Sequence, residues 1–142
     1  VDAQDDNLEA WVALGFANYA LADYEQAIDA WEKAVALYRA SLRDADPLSQ
    51  QRVSTKFAIN AYAGLAMAYQ KLSELELSTR ERSQLQTKAQ DYFELVIRLA
   101  PEMLNPQQLA LDWLWTPELI NDWQVATARL SVGGVLDSIQ EP

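Results

Sequence analysis

The stretch Leu8–Trp31 reads LEAWVALGFANYALADYEQAIDAW. Trp11, Leu14 and Gly15 stand at spacings of three and one, Ala27 follows Trp11 by sixteen, and Trp31 follows Ala27 by four. Such intervals stack side chains on successive turns of a helix. Asp23 interrupts the pattern, and a short acidic side chain there is suited to cap a second helix. The spacing predicts a first helix from about Asn7 to Leu21. Asp6 and Glu9 would open it as a capping box with Asp in place of Ser or Thr. A second helix is expected to follow Asp23 and reach about Arg43 along Ala27, Trp31, Ala34, Val35 and Tyr38.

The same periodicity continues toward the C-terminus. Asp46-Pro47 reads as a cap followed by proline at the first helical position, and nothing breaks the pattern again until Ser78. A helix over Pro47–Leu77 would be about 46 Å long. Ser78 and Glu81 form a second capping box, predicting a helix that ends near Leu99 ahead of Pro101. Asn105-Pro106 starts a short helix to about Leu114, and Thr116-Pro117 starts another to about Leu130. Gly133-Gly134 ends it, leaving residues 132–142 as an expected frayed tail. No alternating β pattern competes, so the expected fold class is all-α.

Parts of the opening stretch recur. Tyr62, Leu65, Ala66 and Tyr69 repeat its beginning, and Ala89, Phe93 and Pro101 repeat its close. This pattern resembles the tetratricopeptide repeat, a helix-turn-helix unit with a W-x2-L-G-x2-Y opening and an A-x3-F…P close. The resemblance covers about residues 8–101. It departs at Asn18 (beside Tyr19), at Trp31 in place of Phe, at Tyr62 in place of Trp and at Ala66 in place of Gly. Each exchange keeps a large aromatic or a small residue where helices meet.

The expected architecture is one domain over residues 1–142, an antiparallel array of helical hairpins. Repeat 1 would span about 6–43, repeat 2 about 47–101, and a C-terminal capping pair about 105–131. Leu109, Leu114, Leu119, Ile120, Trp123, Ala126 and Leu130 give that pair an apolar face with which to seal the second repeat. Trp11 and Tyr62 are 51 residues apart against a usual period of about 34. The helices are therefore expected to be long, with the third protruding at both ends. Leu72, Leu75 and Leu85 would zip one protrusion, and Leu48, Val53 and Phe57 would hold the other against Leu37 and Leu42.

Composition narrows the function. The chain has 142 residues, 11 Lys plus Arg and 21 Asp plus Glu, for a net charge of −10. Such a surface repels phosphate backbones, so nucleic acid is not an expected partner. Residues 1–32 hold eight acids and no base, which polarises the charge along the chain. Without Cys or His, thiol nucleophiles, thiolate metal sites and the usual general base are all missing. The carboxylate pairs Asp5-Asp6, Asp44/Asp46 and Glu74/Glu76 lack the spacing of a calcium loop. Ser54/Lys56 and Thr87/Lys88 do not face one another on a helix. No catalytic residue, cofactor or metal is expected, and no segment has the length and hydropathy of a membrane span. The sequence starts at Val1 rather than Met, so an excerpt or processed form is expected. A cytoplasmic setting is expected, with an anchor outside this chain left open.

The resemblance supplies a binding surface. In the family, the first helix of each repeat lines a concave groove that holds an extended peptide or a helix. Carried over by position, the groove-facing residues are Glu9, Val12, Ala13, Phe16 and Tyr19, then Asn60, Ala63, Gly64, Met67, Gln70 and Lys71. Some members grip a C-terminal carboxylate with basic residues at such places, whereas here only Lys71 is basic. A hydrophobic or amphipathic segment carrying positive charge is the expected ligand, with Phe16, Tyr19 and Met67 as its apolar anchorage. The competing expectation is that these three pack against the terminal helices. The protein is thus expected to be a non-catalytic interaction module acting as scaffold, adaptor or assembly factor. Self-association through Trp113, Trp115 and Trp123 is the alternative, and a small-ligand domain or enzyme the third.

Overall fold

The computed structural model describes the backbone of residues 4–44 and 50–133, and the side chains of residues 8–42 and 55–130. Six α-helices account for most of it: α1 (Gln4–Ala20), α2 (Tyr24–Asp44), α3 (Gln50–Leu75), α4 (Thr79–Leu99), α5 (Pro106–Leu111) and α6 (Pro117–Gly133). A 3-10 turn, Pro101–Leu104, joins α4 to α5. There are no strands among the described residues. The helices pack antiparallel in an all-α, tetratricopeptide-like arrangement.

Helix ends follow local chemistry. Asp23 Oδ1 accepts from the Gln26 amide at 3.3 Å, Ser78 Oγ from Glu81 at 3.4 Å, Asn105 Oδ1 from Gln107 at 2.9 Å and Thr116 Oγ1 from Leu119 at 3.2 Å. Each fills one of the amides that a helix start leaves without an intrahelical acceptor. Four expected boundaries move, and one of them is the end of α6, which runs on to Gly133 rather than stopping near Leu130. α1 starts at Gln4 rather than Asn7, so Asp6 lies inside the helix; no Gly or Pro in Gln4–Asn7 opposes the earlier start. α3 stops at Leu75, two residues early. There the Glu76 carboxylate accepts from the Leu77 and Ser78 amides, and Arg82 donates to the Glu76 carbonyl at 3.2 Å. α5 stops at Leu111 rather than Leu114, because Leu114 takes the left-handed conformation, φ 60°. The Asp46-Pro47 cap, the side chains of Leu48 and Val53, and the tail beyond residue 133 lie outside the described residues.

α1 and α2 form one hairpin and α3 and α4 another, with α2 and α1 both packed on α3. Trp31 of α2 is the centre of this packing and is 0% exposed. Its Nε1 donates to the Val12 carbonyl of α1 at 3.1 Å. Gly15 of α1 and Gly64 of α3 make room for the ring: a Cβ built on either would lie 2.3 and 2.5 Å from indole atoms. The expectation that Gly64 faces the groove is therefore corrected, since it sits against Trp31. Tyr62 stacks on Tyr92 across the second hairpin at 5.9 Å, and Tyr92 stacks on Tyr69 at 6.0 Å. Trp11 is half-buried beneath the Lys33 ammonium, 5.3 Å from the ring centroid. Leu72 and Leu85 are half-buried at the α3–α4 end, but Leu75 is 68% exposed and zips nothing. It is the last residue of α3, at the end that Glu76 and Arg82 fix.

Candidate functional site

The C-terminal helices close the molecule. α6 packs on α3 and α4, and Trp123 of α6 is 1% exposed, with its ring 5.9 Å from Phe93 and its Nε1 donating to the Met103 carbonyl at 2.7 Å. The lead-in to α6 crosses the face of α1 and α3. Leu114 reverses the chain there, and Trp115 turns inward, 6.2 Å from Phe16 and 6.0 Å from Trp123, with its Nε1 donating to Asn60 Oδ1 at 2.8 Å. Farther along, the Tyr19 hydroxyl donates to Asp122 Oδ2 at 3.0 Å, tying α1 to α6. Arg129 pairs with Glu74 of α3.

These contacts leave a cavity of about 730 Å³ between α1, α3 and the Trp113–Asp122 segment. Phe16, Tyr19, Tyr24, Trp113 and Trp115 border it, with Asn60, Leu114 and Leu119. Its charged lining residues are Glu118 and Asp122, and no base lines it among the described residues. Leu114 stands on its rim, 80% exposed. Beside it the Lys56 ammonium lies 4.8 Å from the Trp113 ring centroid and donates to the Asp112 carbonyl at 2.7 Å.

The residues expected to line a groove are divided by this arrangement. Phe16, Tyr19 and Asn60 come together on the cavity wall. Val12, Ala63 and Met67 are buried, at 5%, 0% and 1% exposure. They lie in the shared core of the hairpins and the C-terminal helices, where apolar side chains gain most from leaving water. Gln70 is buried, donates to Glu74 and borders a separate polar cavity beside Arg129. Glu9 is exposed and Lys71 half-buried, and neither borders the first cavity. Of the three tryptophans expected at a self-interface, Trp115 and Trp123 are buried with both indole N–H groups satisfied internally, which leaves Trp113 at the surface. The acids of the site, Glu118 and Asp122, were not among the expected binding residues. Their nearest sequence signal is the Thr116-Pro117 helix start, which brings α6 back across α1.

Burial and the neighbouring carboxylate raise the Tyr19 phenol well above its ordinary pKa, with Asp122 adding repulsion to the phenolate and a hydrogen bond to the phenol. Tyr69 is raised by burial and by its 2.6 Å bond to Glu32, and Tyr92 mainly by burial. A raised phenol favours the fold while it is protonated. That contribution is complete below the unfolded pKa of about 10 and is lost as pH climbs above it. The melting temperature is expected to be insensitive to these groups up to about pH 9 and to fall steeply above about pH 10. Phenolate absorbance should rise with unfolding; full ionisation of all tyrosines in a chain that keeps its helical circular dichroism would contradict this.

The helical hairpins, the tryptophan seated between small residues and the apolar cavity on the inner face make an all-α array of helical hairpins. Residues 8–41 match the family model described as tetratricopeptide repeat. The matched segment takes in most of α1 and most of α2. No curated protein and no solved structure matches the chain. The family is generally one of non-catalytic protein-interaction repeats. Among the described residues no helix is long and apolar enough to cross a membrane.

Proposed function

We propose that this chain is a protein-interaction module that holds a short segment of a partner protein in the cavity between α1, α3 and the Trp113–Asp122 segment, and that it serves as a scaffold or assembly factor. In this reading α3–α4 is a second, lengthened repeat and α5–α6 caps it, so that the cavity is what remains of the concave face. The observation that carries the reading is the cavity's combination of aromatic walls with acids as its only charges among the described residues. Apolar surface of this kind, rimmed by polar groups, gains by taking apolar side chains from water, and its charge favours a basic segment. The exposed Leu111 and Leu114, at 76% and 80%, extend the apolar surface outward from the rim.

Selection of short random peptides against the immobilised chain tests this. The selected peptides are expected to combine bulky apolar residues with Lys or Arg, and to shift the indole resonances of Trp113 and Trp115. Leu114→Asp should weaken them about tenfold or more, as loss of a rim contact does at a small interface. Leu77→Asp, at a 92% exposed site on the α3–α4 turn, should leave them unchanged. Peptides indifferent to Leu114→Asp whose shifts map away from both tryptophans would overturn the assignment.

A further inference from the structure

Resting on that use of the cavity, we infer that the partner side chain it takes is an arginine. Five aromatic rings border the space: Phe16, Tyr19, Tyr24, Trp113 and Trp115. A purely apolar anchor would satisfy these rings, but it would draw the half-buried Asp122 carboxylate further out of water and return nothing to it. A lysine would answer the charge, yet its ammonium is a compact, strongly hydrated point that gives up water reluctantly. The guanidinium group does both jobs, because its face stacks on aromatic rings while its edge carries a fork of N–H donors matched to carboxylates.

The local bonding fits this division. Asp122 uses Oδ2 to accept from Tyr19. Its other oxygen has no hydrogen-bond partner among the described residues and belongs to a residue bordering a cavity without a base among them. Glu118, exposed at the N-terminal turn of α6, borders the same cavity and adds a second negative charge to it. Rings of this protein already pair with cations: Lys33 lies over Trp11 and Lys88 over Tyr69, and Lys56 lies over Trp113 of the cavity's own border. Lys56 stands outside the cavity and is held to the Asp112 carbonyl, so it opposes a guest only weakly. The volume exceeds one side chain, so the arginine enters with an apolar neighbour.

The test titrates the chain with N-acetyl-arginine methylamide and with its citrulline, lysine and leucine counterparts, followed by the indole N–H resonances. The arginine compound should bind weakly, shift Trp113 and Trp115 and leave Trp31 and Trp123 in place. It should bind about tenfold more tightly than citrulline, which has the same shape without the charge. Asp122→Asn combined with Glu118→Gln should abolish that preference, and the amide oxygen that the first change introduces still offers Tyr19 an acceptor. Equal binding of the lysine or leucine compound at the same tryptophans overturns the arginine assignment and leaves the cavity as the peptide site. Absence of any shift at Trp113 and Trp115 also overturns it, and the selected peptides then decide separately whether the cavity binds protein at all.

Discussion

Trp31→Ala is expected to lose about 3–5 kcal/mol of stability, a large share of what a domain of this size commands. The ring is fully buried, its N–H satisfies the Val12 carbonyl, and α1 and α3 both close on it. Its two glycine neighbours make a sharper test. Gly15→Ala in the native sequence drives a Cβ into the indole, and overpacking of this kind costs about 1–3 kcal/mol. In the Trp31→Ala background the obstacle is gone and alanine is the better helix former by about 1 kcal/mol. The same substitution should therefore destabilise one protein and stabilise the other. Gly64→Ala should reverse sign in the same way, since its Cβ also meets the ring, on the benzo side. Urea unfolding of the double-mutant cycles measures both. Equal costs in the two backgrounds would mean that the ring moves aside, and that the three-helix contact is looser than its geometry implies.

That contact explains why the first hairpin was legible from sequence. Trp11, Gly15, Ala27 and Trp31 fall into place through local spacing, and local spacing is what a periodic pattern reports. Ser78, Asn105 and Thr116 were legible for the same reason, each acting within three residues of itself. The cavity was not. Phe16, Tyr19 and Asn60 could be placed on the inner face by resemblance, but Trp115 and Asp122 reach them across 55 and 103 residues of chain. No period encodes such a pairing. It depends on the reversal at Leu114, a residue type that seldom takes positive φ and so gives no turn signal. Val12, Ala63 and Met67 are buried in the core that the hairpins share with the C-terminal helices, and that core forms only once the reversal brings α6 back onto α3. Gly64 was misplaced for a different reason. Ala66 stands at the position that corresponds to Gly15 in the repeated pattern, yet the partner of Trp31 is two residues earlier.

Trp123→Ala is expected to cost about 3–5 kcal/mol as well, but its effect should be local before it is global. Trp123 joins Phe93, Trp115 and the Met103 carbonyl at one end of the core, whereas Gly15 and Gly64 hold Trp31 at the other, with Phe16 and Trp115 between the two rings. Removing it leaves a void under α6 and an unpaired buried carbonyl at the 3-10 turn. Among the described residues, the remaining polar ties of α6 to other helices are the Tyr19–Asp122 bond and the largely exposed Arg129–Glu74 pair, and exposed pairs contribute little. Hydrogen exchange should therefore accelerate first along α6, while the amides of α1, α2 and α3 around Trp31 keep their protection. Binding should fail with it. Glu118 and Asp122 belong to α6 and Trp115 is its lead-in, so release of α6 removes the acids and one aromatic wall together. Loss of ligand with α1–α3 still protected would tie recognition to the docked C-terminal segment. Retained binding with α6 exchanging freely would place the recognition surface on α1 and α3 alone, and α6 would then be a cover over that surface instead of a part of it.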